Sequence, residues 1–173
     1  ISRLIDALNR GIGKLSMWLI LAATLISAGN AIVRKVLGTS SNAWLEIQWY
    51  LFAACVMLGA AHVLKVNEHV RVDVIYGRLK GRGKVFIDLF GLVFFLLPVM
   101  TLMLWLSWPY FVGMYQSGEV SGNAGGLIRW PAVLMLPLGF GLVLLQGVSE
   151  IIKRVGWLLG VHDMDTTYER PLQ

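Results

Sequence analysis

Four stretches of the chain are long enough and apolar enough to cross a membrane, and this limits the fold more than any other feature. Leu15 to Val33 lies between Lys14 and Arg34 with no charge inside it, and Ile47 to Leu64, Leu89 to Trp108 and Trp130 to Ser149 follow. Between Glu46 and Lys65 there are 18 residues without a formal charge. That is enough to cross a hydrocarbon layer of roughly 30 Å at about 1.5 Å per residue once the helix ends contribute. The composition agrees, with 57% hydrophobic and 14% charged residues against about 45–50% and about 25% in soluble domains. The expected fold is all-α, an integral membrane protein with four transmembrane helices plus short amphipathic interfacial helices. The spans fall near residues 15–36, 43–64, 86–110 and 130–152 within a membrane domain of residues 1–160, and residues 161–173 form a polar C-terminal tail.

The connections refine this outline. Ile1, Leu4, Ile5, Leu8 and Ile12 recur at helical spacing, so the opening reads as an amphipathic helix able to lie in the headgroup layer. It is not expected to be a cleaved signal, because the span after Lys14 has full length and runs into Arg34 and Lys35. Gly38 to Asn42 supplies turn and helix-start residues, which makes the first two helices antiparallel neighbours. Val72, Ile75, Tyr76 and Leu79 form a second short amphipathic surface. Pro98 predicts a kink in the third span, and Trp105, Trp108, Tyr110 and Tyr115 an aromatic belt near its end. Ser117 to Gly126 reads as a flexible loop, and Pro131 as a favourable first-turn residue of the last helix.

Basic residues give the orientation. Arg3, Arg10 and Lys14, the six from Lys65 to Lys84, and Lys153, Arg154 and Arg170 make twelve on one side, against Arg34, Lys35 and Arg129 on the other. Twelve against three places both termini in the cytoplasm. The net charge of +5 is divided among short loops beside apolar spans, which implies lipid headgroups as partners and no nucleic acid.

Nothing in the pattern resembles a catalytic set, and the chain is not expected to be an enzyme or to bind a cofactor or metal itself. His62, His69 and His162 are scattered, too few and too shallow for a haem between two spans. Glu68 and His69 with Asp73 read as a solvated turn before a metal site. Cys55, the single cysteine, lies in mid-span, where a small packing residue is the ordinary reading. Glu46, Asp88 and Glu150 stand at helix ends, with Lys84 and Arg154 four residues from the latter two. Transporters hold ions and substrates near the midplane. Arg34 and Glu46 fall at the same surface and are expected to pair across the first hairpin.

Helix two carries two seams. Glu46, Tyr50, Ala53, Met57 and Ala60 form one, and Gln48, Phe52, Cys55, Gly59 and His62 form another on a different face, both with small residues that let helices approach. The first is expected to pack on helix one beside Arg34. The second is left for a partner.

Several motifs resemble one family. Asn30-x-x-x-Arg34, Trp44-x-Glu46, Gly59-Ala60-Ala61, the run Glu68-His69-Val70-Arg71-Val72-Asp73 and Pro137-Leu138-Gly139 are similar to the small, DctQ-like membrane subunit of tripartite ATP-independent periplasmic (TRAP) transporters, over about residues 1–155. The resemblance implies a non-catalytic subunit that scaffolds and anchors a large elevator-type membrane subunit. A periplasmic substrate-binding protein would deliver an organic anion of the carboxylate class, and the large subunit would hold the coupling sodium. Arg34, Trp44, His69, Arg71 and Asp73 become structural or partner-interface candidates on that ground, together with the helix-two residues. The competing reading is a self-contained four-helix proton-coupled exporter acting as a homodimer, which needs an acid deeper in a span than Glu46.

The charge count gives a direct test of orientation. Reporter fusions after Gly125 are expected to read as periplasmic and fusions after Gly160 as cytoplasmic, and the reverse pattern would refute the topology.

Overall fold

A computed structural model describes residues 1–39, 41–67 and 81–161. Among these the chain forms four long helices: α1 (Ser2–Leu37), α2 (Asn42–Val66), α3 (Arg82–Ser117) and α4 (Trp130–Leu158). All four are long and apolar enough to span a bilayer, as the uncharged windows require. Left-handed residues end three of them, Gly38 after α1, Asn67 after α2 and Gly118 after α3. Asn67 is the one non-glycine residue in that conformation among the described residues, and its N–H donates back to the carbonyl of Leu64.

The amphipathic opening is helical but forms no separate element, because α1 runs unbroken from Ser2. Its polar side faces the bundle: Asn9, Gly13 and Ser16 are buried, while Ile1 and Leu4 are exposed. An apolar stripe marks the inward face of a helix in water, whereas in lipid a polar stripe finds its partners inside.

The third helix is irregular just before Pro98 and regular through Pro109. Pro98 lacks an N–H, and its ring collides with the carbonyl one turn back. The helix widens into a π segment over Leu92–Leu96 and resumes as α-helix over Leu97–Ser117. The irregularity lies in the turn before the proline, as π-bulges relieve such clashes.

Packing is centred on α4, which touches each of the other three, while α1 packs chiefly on α2. Of the most apolar window of α4, 39% is buried, against 6% for α3, so α4 is the axis and α3 lies largely outside. Two glycines on α4 permit this. A Cβ on Gly139 would stand 2.8 Å from the carbonyl oxygen of Met57 on α2, and one on Gly147 would stand 2.6 Å from Leu96 of α3. Backbones therefore approach to a distance that no larger residue allows.

The two seams of helix two exist, with neighbours other than those expected. The first turns towards α4, with Met57 against Gly139 and the Tyr50 hydroxyl donating to the carbonyl of Ile128 (3.1 Å). The second supplies contacts to α1: Gly59 faces Ser16, and His62 covers Gly13 so closely that a Cβ there would be 2.5 Å from the ring. Gly59 and His62 are thus used inside the subunit, which corrects their assignment to a partner.

Gly139→Leu is expected to destabilise the bundle by about 3 kcal/mol, the upper part of the overpacking range. Gly29→Leu, with nothing within 4 Å, should be near neutral, and thermal unfolding in detergent compares the two.

Candidate functional site

The charged and polar side chains gather at the two ends of the bundle. At the end away from the N-terminus, Glu46 stands in the second turn of α2 and is 3% exposed. Its Oε1 accepts hydrogen bonds from Ser121 Oγ and from Asn123 Nδ2 (2.8 Å), and its Oε2 accepts one from the Leu127 backbone N–H (2.6 Å). These donors belong to the connection between α3 and α4. That connection is a hydrogen-bonded turn and not the open loop its glycines suggest: Ser121 N–H donates to the Leu127 carbonyl (2.9 Å), Val120 and Ile128 form an antiparallel bridge, and Gly125 takes the left-handed conformation. Asn42 donates to the carbonyl of Ala124 (3.0 Å), and Arg129 pairs with Glu119 in the open. The turn is folded around a carboxylate.

This arrangement overturns the expected Arg34–Glu46 pair. Arg34 is exposed on the last turn of α1, and the carboxylate is already occupied by three donors. A backbone N–H and two short side chains that arrive with the turn need less ordering than a long guanidinium side chain.

The other end holds a larger network that the spacing rules for charges catch only in part. Gln146 of α4 is fully buried. Its Nε2 donates to Asp6 Oδ1 of α1 (2.9 Å) and to Glu150 Oε1 (2.8 Å), while its Oε1 accepts from Asn9 Nδ2 (2.7 Å). Ser149 Oγ donates to Asp6 Oδ1 (3.0 Å). Lys153 Nζ bridges Asp6 Oδ2 (3.3 Å) and Glu150. Arg154 pairs with Glu150, as the i,i+4 spacing predicts, and also reaches Asp88 of α3 through Nε (3.2 Å) and Nη2 (3.1 Å). Lys65 of α2 donates to the Asp6 carbonyl (2.9 Å). All four helices are tied together at this end. The signal for it is the polar stripe Gln146, Ser149, Glu150, Lys153 and Arg154 at helical spacing, matched by Asp6 and Asn9 on α1.

The remaining candidates separate. Trp44 and Phe52 are exposed, Gln48 is half-buried with its Nε2 unpartnered, and Cys55 is half-buried beside Gly59. His69, Arg71 and Asp73 lie outside the described residues, as does the second amphipathic surface.

Fold and site together define a multi-pass membrane protein whose internal polar groups bind its helices to one another at the two ends of the bundle. The model of the family described as tripartite ATP-independent periplasmic transporters, DctQ component, matches residues 23–156. The chain belongs to this family and is a small membrane subunit of a TRAP transporter. Comparison with curated proteins gives no match, and comparison with solved structures gives none.

Removing one partner of a buried ion pair costs about 3–5 kcal/mol, so Arg154→Ala is expected to lower stability by that order. Arg34→Ala should change it by less than about 0.5 kcal/mol, as at an ordinary surface position. In a double-mutant cycle Arg34→Ala and Glu46→Ala should add, and a coupling well above about 0.5 kcal/mol would restore the pair.

Proposed function

We propose that this chain is the non-catalytic scaffold of a sodium-coupled TRAP transporter for an organic anion of the carboxylate class. It anchors the large elevator-type subunit in the inner membrane, with both termini cytoplasmic, and a periplasmic binding protein delivers the substrate. The observation that carries this reading is the placement of charge. Among the described residues every Asp, Glu, Lys and Arg lies towards one end of the bundle or the other, and the buried ones have partners: Glu46 in the α3–α4 turn, Glu150 on its own helix, and Arg154 in Glu150 and in Asp88 of α3. Secondary transporters place their ionic groups near the midplane and interrupt helices to do so. Here the π segment of α3 consists of Leu92, Val93, Phe94, Phe95 and Leu96, all apolar, with Phe94 and Phe95 exposed. A body held rigid at both ends suits a part that stays fixed while another moves.

Proteoliposomes containing only this chain are expected to show no sodium-driven uptake of an organic anion, whereas the chain with its large subunit and binding protein should show it. Copurification should recover a second, much larger hydrophobic chain. Robust uptake by the single chain, or recovery of a lone dimer, would refute the scaffold reading.

A further inference from the structure

Beside His62 the surface between α1 and α2 opens into a groove of about 710 Å³. Met17 and Ile20 form one wall, Val56 and Cys55 the other, Gly59 lies along it, and Leu96 of α3 closes one side. Met17 and Val56 are more than half or half exposed, so the groove opens sideways into the acyl layer. No acidic side chain lines it.

Its mouth has a different character. His62 seated on Gly13 marks the inner limit, and just beyond it stand Arg10 and Lys14 of α1 and Lys65 of α2. Arg10 and Lys14 are exposed, and neither has an ion-pair partner among the described residues. Arg10 lies close enough to Lys65 for their charges to act on one another. Among the described residues Arg10 and Lys14 are thus the unpaired cations next to Gly13 at the end of an apolar slot, while Lys65 is already bonded to the Asp6 carbonyl and lies near the carboxylates of Asp6 and Glu150.

The charge at its mouth chooses between occupants. Juxtamembrane Lys and Arg residues attract anionic lipid at about 1 kcal/mol each.

We infer that this groove is a specific site for one anionic phospholipid, its acyl chain lying between Met17 and Val56 and its phosphate held by Arg10 and Lys14. The lipid fills the cleft between the first two helices at the end where the polar network joins them. This site follows from the membrane-spanning fold alone and does not depend on the scaffold role.

Native mass spectrometry of the detergent-purified full chain, titrated with phosphatidylglycerol or phosphatidylcholine, tests it. The expected result is at least a tenfold preference for phosphatidylglycerol. Arg10→Ala with Lys14→Ala should abolish the preference, and the charge-keeping pair Arg10→Lys with Lys14→Arg should retain it. Val56→Trp, which fills the slot from its exposed rim, should weaken both lipids, and the distant Lys35→Ala should change neither. Equal binding of the two lipids, or a preference untouched by the Arg10 and Lys14 substitutions, would overturn the proposal. So would Val56→Trp that leaves lipid binding intact yet releases a copurifying protein, since the groove would then belong to that protein.

Discussion

The amide of Gln146 is the point on which the bundle depends. Lipid offers no hydrogen-bond partners, so a polar group between helices must be satisfied by another helix or by none. Gln146 meets this condition with both of its heads, accepting from Asn9 and donating to the carboxylates of Asp6 and Glu150. Each carboxylate then holds Lys153, and Glu150 orients Arg154 towards Asp88. An apolar residue at this position would at once take one hydrogen bond each from the buried Glu150, the half-buried Asp6 and the buried amide of Asn9. The network is therefore also a device of register: α1 cannot slide or rotate against α4 without separating donors from acceptors that have no substitutes.

Small residues set the distances within which such a network can form. Gly139 and Gly147 bring α2 and α3 against the axis helix, and Gly13 admits the His62 ring between α1 and α2. These contacts belong to the middle and inner parts of the bundle, where the side chains are apolar and the hydrophobic effect gives no preference for helix over lipid. Shape determines packing there, and polarity determines it at the ends.

Much of this was legible in the residues. Uninterrupted apolar windows define the four spans because a bilayer imposes a minimum length, and Pro98 locates the irregular turn of α3 to within one turn. The DctQ-like motifs identified the family. Other features were hidden by their range. Glu46 was read against Arg34, its neighbour across the first hairpin, while its donors come from a glycine-rich turn 75 to 81 residues later. Apolar spacing in the opening helix suggested a surface location, since the polar stripe of Asp6 and Asn9 gains meaning only beside the matching stripe on α4. Helix two showed that it has two contact faces, but which neighbour meets each face depends on where the α3–α4 turn docks.

That docking bears on how the protein is made. Glu46 enters the membrane with the second helix, yet Ser121, Asn123 and Leu127 do not exist until the third has been synthesised, and Asp6 and Asn9 wait 137 to 147 residues for their partners on the fourth. Every helix can insert in turn, but the network around Gln146 closes only when the last one leaves the ribosome. Until then the nascent chain carries Asp6 without its partners on the fourth helix, in contact with headgroups or with the insertion machinery. Assembly at that end is consequently non-local and late, and a truncation before Gln146 would leave three inserted helices without the network that ties them to the fourth.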